Sequence, residues 1–169
     1  GNLGGGVVDG GSARIPHWAR TPMNPHSVAE ALREVGRLLE ATGEPSFRVR
    51  AYERAGNALH SLADGDLERR VEEGRLEEIP YVGKGLARKI EALVRQGTLP
   101  ELEALRKKVP SGFRELSRVE GLGPKKILAL YQAIGVATLD DLERAVELGR
   151  VRTVKGFSAA AEQRLGPLI

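Results

Sequence analysis

Two stretches of this 169-residue chain set glycines, apolar residues and basic residues in the same order. Ile79-Pro80-Tyr81-Val82-Gly83-Lys84-Gly85-Leu86-Ala87-Arg88-Lys89-Ile90 is matched 40 residues later by Val119-Glu120-Gly121-Leu122-Gly123-Pro124-Lys125-Lys126-Ile127-Leu128-Ala129-Leu130. In the second copy the glycines permit φ > 0 and leave no Cβ between the backbone and a partner. Leu122 is apolar enough to plug the turn into a core. Pro124 suits the first position of a following helix, where its missing N–H costs nothing. The free amides of that helix start then make an anion site, with Lys125 and Lys126 beside it. Such a device grips phosphate through the backbone and is blind to base sequence.

One such turn is equally well a plain helix–turn–helix with a glycine C-cap. Two copies in one hydrophobic register favour a shared binding device. In the first copy Tyr81 stands where the second has Gly121, so the backbone approach there is expected to be less close. A third candidate, Val154-Lys155-Gly156-Phe157-Ser158-Ala159, lacks the second glycine and the proline, and Glu162 takes an apolar position. It reads as degenerate and structural.

Other chemistry is thin. The absence of cysteine excludes disulfides, thiolate zinc sites and a cysteine nucleophile. His17, His26 and His60 look too scattered for a metal triad. The pairs Glu72-Glu73 and Glu77-Glu78 read as solvated helix ends, and Trp18 as incidental.

The elements that must position the two turns are helical. Apolar residues are 41% of the chain but aromatics only 4%, so cores rest on Leu, Val, Ile and Ala. Residues 1–24 read as a flexible, glycine-rich leader, with a natural start at Met23. Ser27 with Glu30 suggests a capping box for a helix through Leu39, ended by Gly43 and Pro45. Further helices are expected at Phe47–Leu62, Asp66–Glu73, Leu86–Gln96, Leu99–Lys108, Phe113–Ser117, Pro124–Ile134 and Leu139–Leu148, the last capped by Thr138. No stretch alternates as a strand. The fold class is all-α, with two small helical subdomains, 25–108 and 109–169, divided near Pro110-Ser111-Gly112.

The net charge is +3, yet residues 26–108 hold 15 basic and 15 acidic side chains, and 109–169 hold nine and seven. Affinity for a polyanion must therefore come from local geometry more than from bulk field. No apolar run approaches the ~20 residues of a membrane span.

The stretch from His26 to Leu165 resembles the N-terminal part of bacterial family X DNA polymerases. Pro45-Ser46-Phe47-Arg48-Val49-Arg50-Ala51-Tyr52, Ile79–Ile90, Gly97-Thr98-Leu99-Pro100-Glu101-Leu102 and Gly121–Lys126 carry it, in matching order and spacing. The resemblance implies a lyase-type domain followed by a fingers-type domain, both built on helix-hairpin-helix motifs that bind gapped or nicked DNA. It implies DNA contacts from Arg48, Tyr52, Val82, Gly83, Lys84, Gly85, Arg88, Gly121, Leu122, Gly123, Lys125 and Lys126. It also implies a monovalent cation, Na+ or K+, on the backbone carbonyls of Ser117, Val119 and Leu122, and of Ile79 with Val82 in the first hairpin.

Family members with lyase activity form a Schiff base through a lysine, and Lys89 falls at that position. Arg88, Lys84, Arg48 and Tyr52 would surround it. This chain departs from the family by carrying Gly85, Glu101 and Phe47 where basic or phosphate-contacting residues are usual. Two-metal nucleotidyl transfer needs carboxylates on a palm sheet, and no palm sequence follows Leu165. The expectation is a monomeric fragment of a repair polymerase (gap filling, base excision or end joining), cytoplasmic at the nucleoid. It would not polymerise, would be open to 5′-deoxyribose-phosphate lyase chemistry, and Mg2+ or Mn2+ would be needed only in the absent palm. Two alternatives stand beside it: a non-catalytic hairpin module of a recombination or excision-repair protein, and an interaction domain whose hairpins only pack.

Overall fold

The computed structural model describes residues 24–169, so the expectations for the leader, His17, Trp18 and Met23 lie outside the described residues. Among the described residues there are nine α-helices and no strand. They are α1 (Pro25–Ala41), α2 (Ser46–Leu59), α3 (Asp66–Glu73), α4 (Lys84–Gln96), α5 (Pro100–Arg106), α6 (Phe113–Leu116), α7 (Pro124–Ile134), α8 (Leu139–Glu147) and α9 (Ala159–Leu165). None is long and apolar enough to cross a membrane.

α1 starts earlier than the Ser27 capping box predicted. Asn24 is the N-cap, its side chain accepting the Ser27 amide at 2.8 Å, and Pro25 takes the first turn. Asn is among the best N-caps and proline suits N1, so the pair outcompetes Ser27. Thr138 caps α8 as expected, and the capping box is closed by Asp141. The Asp141 side chain also accepts the Ala137 amide at 3.0 Å.

The apolar stripe of α1, from Val28 through Leu32, Val35 and Leu39, is buried on all the helices around it. It lies against α2, α4 and α5, and against α7 of the second half. α1 and α2 approach closely because Gly56 faces the Ala29 carbonyl; a Cβ there would sit 3.2 Å from it. One continuous core runs through both halves, from Leu32 and Leu59 to Leu116, Leu130 and Leu142. The expected boundary at Pro110–Gly112 is packed into this body: Pro110 and Gly112 are buried. The Gly112 amide donates to the Ala137 carbonyl at 2.9 Å.

Candidate nucleic-acid interface

Both hairpins are built the same way. A short helical turn (Leu76–Glu78 in the first, α6 in the second) leads to an apolar residue, Ile79 or Val119. Its carbonyl accepts the amide of the residue three further on, Val82 or Leu122, at 3.1 Å in each case. Ile79, Val82, Val119 and Leu122 are all buried, so these side chains anchor the turns. Between them the chain must pass through φ > 0: Gly121 has φ 90° and Tyr81 has φ 68°. Tyr81 is the only non-glycine residue in that region among those described. Its ring is exposed, with the Arg54 guanidinium 5.7 Å from its centroid.

The third candidate is a closer copy than its sequence suggests. Phe157 N–H donates to Val154 at 3.0 Å, Gly156 has φ 95°, and Ser158 caps α9. Phe157 is buried where the other turns bury Val82 and Leu122. Glu162 is 2% exposed and tied to Arg152 by bonds of 2.7–2.9 Å to the guanidinium and 2.8 Å to the backbone amide. These bonds hold its carboxyl below the ordinary 4.5 despite desolvation. The polar residue at an apolar position is thus a fixed structural pair. Lys126 lies 5.7 Å from the Phe157 ring centroid, which joins the second and third turns.

The glycine two residues beyond each positive-φ position adopts a different backbone. Gly123 (φ −80°, ψ 169°) and Gly83 (φ −93°, ψ −171°) are extended N-cap residues of α7 and α4. That backbone suits any residue, so neither uses the positive φ that the sequence suggested. A Cβ added to Gly123, Gly83 or Gly85 would meet nothing within 4 Å. Neither conformation nor packing requires glycine there, and the first-turn amides of α4 and α7 lie beside exposed Lys84, Lys125 and Lys126. Arg88 is exposed on α4.

Lys89 sits in a different setting from the one a Schiff-base lysine needs. Its Nζ is 2.8 Å from Glu101 Oε2, donates to the Tyr52 hydroxyl, and lies 4.9 Å from the Tyr52 ring centroid. Burial pulls its pKa down, but the bonds to Glu101 and Tyr52 outweigh that and hold the amine above its ordinary 10.5. Tyr52, expected as a DNA contact, has a buried side chain whose hydroxyl is spent on this cluster. Arg48 is exposed but paired with Glu44 at 3.0 Å. Phe47 stands exposed at the start of α2.

Sequence reasoning missed a cleft of about 770 Å³ between α1 and the start of the second half. Arg37, Arg114 and Arg118 line it, beside Glu34 and Arg106. Arg106 forks onto Glu34 at 2.7 and 2.8 Å. The bond from Arg106 chiefly holds the Glu34 carboxyl below the ordinary 4.5, against the upward pull of burial, and the charges of Arg37 and Arg114 add to it. Arg37 is distant in sequence from Arg114 and Arg118, so the balanced charge count hid the group. Ser117 also lines this cleft. Of the carbonyls expected to hold a cation, Val119 and Ile79 each accept one turn bond, which leaves a lone pair on each.

Helices that flank glycine turns, repeated in two packed halves, define a tandem helix-hairpin-helix protein. Residues 23–99 match the family model described as a helix-hairpin-helix domain, and 113–165 the one described as a SAM-like helix-hairpin-helix tandem. The chain is 29% identical over 147 residues to the DNA polymerase/3′-5′ exonuclease PolX of Bacillus subtilis. That alignment takes in 85% of this chain and 24% of the relative, so the chain spans about a quarter of the relative's length. Together these matches show two helix-hairpin-helix regions and a likeness to part of that polymerase.

Proposed function

We propose that the chain binds DNA without regard to sequence, as the N-terminal part of a family X repair polymerase. The hairpin matches and the polymerase relative support DNA binding in general. The observation that carries the phosphate mechanism is the pair Gly83 and Gly123. Glycine stands where no Cβ would clash and no positive φ is needed, at helix starts flanked by lysines. A side chain at those points would obstruct something that approaches from outside, and a phosphate on the helix amides is that partner.

In this reading the backbone at Val82–Gly85 and Leu122–Gly123 grips one strand, with Lys84, Arg88, Lys125, Lys126 and Arg48 around it. Arg37, Arg114 and Arg118 extend the basic surface. A gapped or nicked duplex gives both hairpins a backbone to hold. Na+ or K+ on the carbonyls of Ser117, Val119 and Leu122 would strengthen the second grip. The chain acts as a monomer at the nucleoid.

Fluorescence anisotropy with a gapped duplex over a salt series tests it. Phosphate contacts require affinity to fall linearly in log–log form with salt. Affinity that does not respond to salt or to Gly123→Val would refute the mechanism and favour hairpins that only pack. Lyase chemistry at Lys89 is a second reading, carried by that lysine's half-buried place beside the first hairpin. In it the amine condenses with the C1′ aldehyde of an abasic sugar and water leaves. Loss of a C2′ proton then breaks the C3′–O bond and expels the phosphate-ended DNA. Hydrolysis of the imine frees the sugar phosphate and restores the amine. Borohydride trapping that persists in Lys89→Ala would remove it.

A further inference from the structure

The strongest unassigned cluster lies at one end of the α1–α2 pair. His26 is in the first turn of α1, Glu30 is one turn on, and His60 is the C-cap of α2. The i,i+4 spacing puts His26 and Glu30 on one face, and the antiparallel return of α2 brings in His60. One ligand atom from each lies within 4.8 Å of the others. The imidazoles stand with centroids 5.3 Å apart at 52°, tilted rather than stacked. His26 and His60, far apart along the chain, are therefore neighbours.

We propose that His26, Glu30 and His60 form a binding site for a divalent transition metal of the Zn2+ class. Two imidazoles and a carboxylate suit Zn2+ and its neighbours, whereas Mg2+ and Ca2+ demand oxygen-rich shells. A tetrahedral ion with bonds of about 2.0–2.1 Å needs its donors closer than they now stand. Both histidines are exposed and Glu30 is half-buried, which leaves their side chains room to rotate toward an ion. Arg33 holds one Glu30 oxygen at 3.0 Å, which leaves the other to turn toward the ion. Water completes the shell.

Such an ion clips the start of α1 to the end of α2, the helix that carries Arg48 and Tyr52. The inference is independent of how the hairpins meet DNA.

Calorimetric titration of Zn2+ alone into the 169-residue chain at neutral pH tests it. The expected result is one ion per chain with micromolar affinity, weakened about tenfold or more in His26→Ala and in His60→Ala. The melting temperature of the parent should rise with Zn2+, and that of His60→Ala should not. Cu2+ bound in place of Zn2+ should give an electron paramagnetic resonance signal with nitrogen coupling that His60→Ala diminishes. Both histidines lie outside the core, so folding of the variants is checked by their melting without metal. The proposal is overturned if no binding appears by about 100 µM Zn2+, or if His60→Ala binds within twofold of the parent.

Discussion

Lys89 and Glu101 face each other at 2.8 Å, from α4 and the first turn of α5, with the Tyr52 hydroxyl beside them. The lysine that the family resemblance offers for covalent chemistry is thus held as an ammonium by a carboxylate.

Removing that carboxylate should release the amine. In Glu101→Gln the Lys89 pKa falls, and the reactive fraction near neutral pH rises about tenfold for each unit lost. Borohydride trapping on a 5′-deoxyribose-phosphate end should therefore be weak in the parent and stronger in Glu101→Gln. It should vanish in Lys89→Ala. A Glu101→Gln variant that traps no better than the parent would show that the ion pair does not limit the lysine.

The same pair predicts an alkaline limit to stability. Lys89 titrates higher in the fold than the ordinary 10.5, so its contribution is complete below that value. It is lost as pH rises through the folded pKa. Melting temperature followed from pH 9 to about 12 should fall less steeply in Lys89→Met than in the parent.

At the acid side the sign reverses. Glu34 and Glu162 titrate lower in the fold than the ordinary 4.5. Their contribution is complete above that value and is lost as pH falls through the folded pKa. Glu34→Gln and Glu162→Gln should each lower the melting temperature at neutral pH and flatten its decline below pH 4.5. An unchanged slope in both variants would mean that other groups govern acid unfolding.

The two hairpin turns should respond oppositely to exchange of their central residues. Gly121→Val puts a β-branched side chain at φ 90° and should destabilise the fold by about 2 kcal/mol. Tyr81→Gly relieves φ 68° and should be neutral or stabilising by up to about 1 kcal/mol, less the lost contact with Arg54. Urea unfolding of both variants measures the contrast.

Gly123→Val separates binding from folding. At φ −80° with open space around its Cα, valine meets no clash, and the exchange of a favoured N-cap residue should cost only about 1 kcal/mol. If phosphate sits on the α7 amides, DNA affinity should nonetheless fall by about tenfold or more. Lys125→Ala and Lys126→Ala should weaken binding to all sequences alike and each reduce the salt slope by about 1.

Much of the fold was legible because helices are local. Period, caps and breakers lie within a few residues of each other, so Thr138, Gly74 and Pro124 mark their boundaries directly. The start of α1 was misread because Ser27 and Asn24 are both competent caps, and the choice turns on which amide each reaches. The two strong hairpins were visible as a repeat. The third was undervalued because its turn keeps only one glycine, and the Arg152–Glu162 pair that supports it spans ten positions.

The sequence by itself determined the helical class, the repeated turns and the residues that could grip phosphate, since each is written in neighbouring positions. Tertiary structure alone decided what those residues meet. It set Glu101 against Lys89, buried Tyr52, gathered Arg37, Arg114 and Arg118 around one cleft, and brought His60 to His26 and Glu30. Each of these is a meeting of side chains from separate helices. Charge and coordination act through distance in space, and the packing of α1 against α2, α5 and α7 sets those distances.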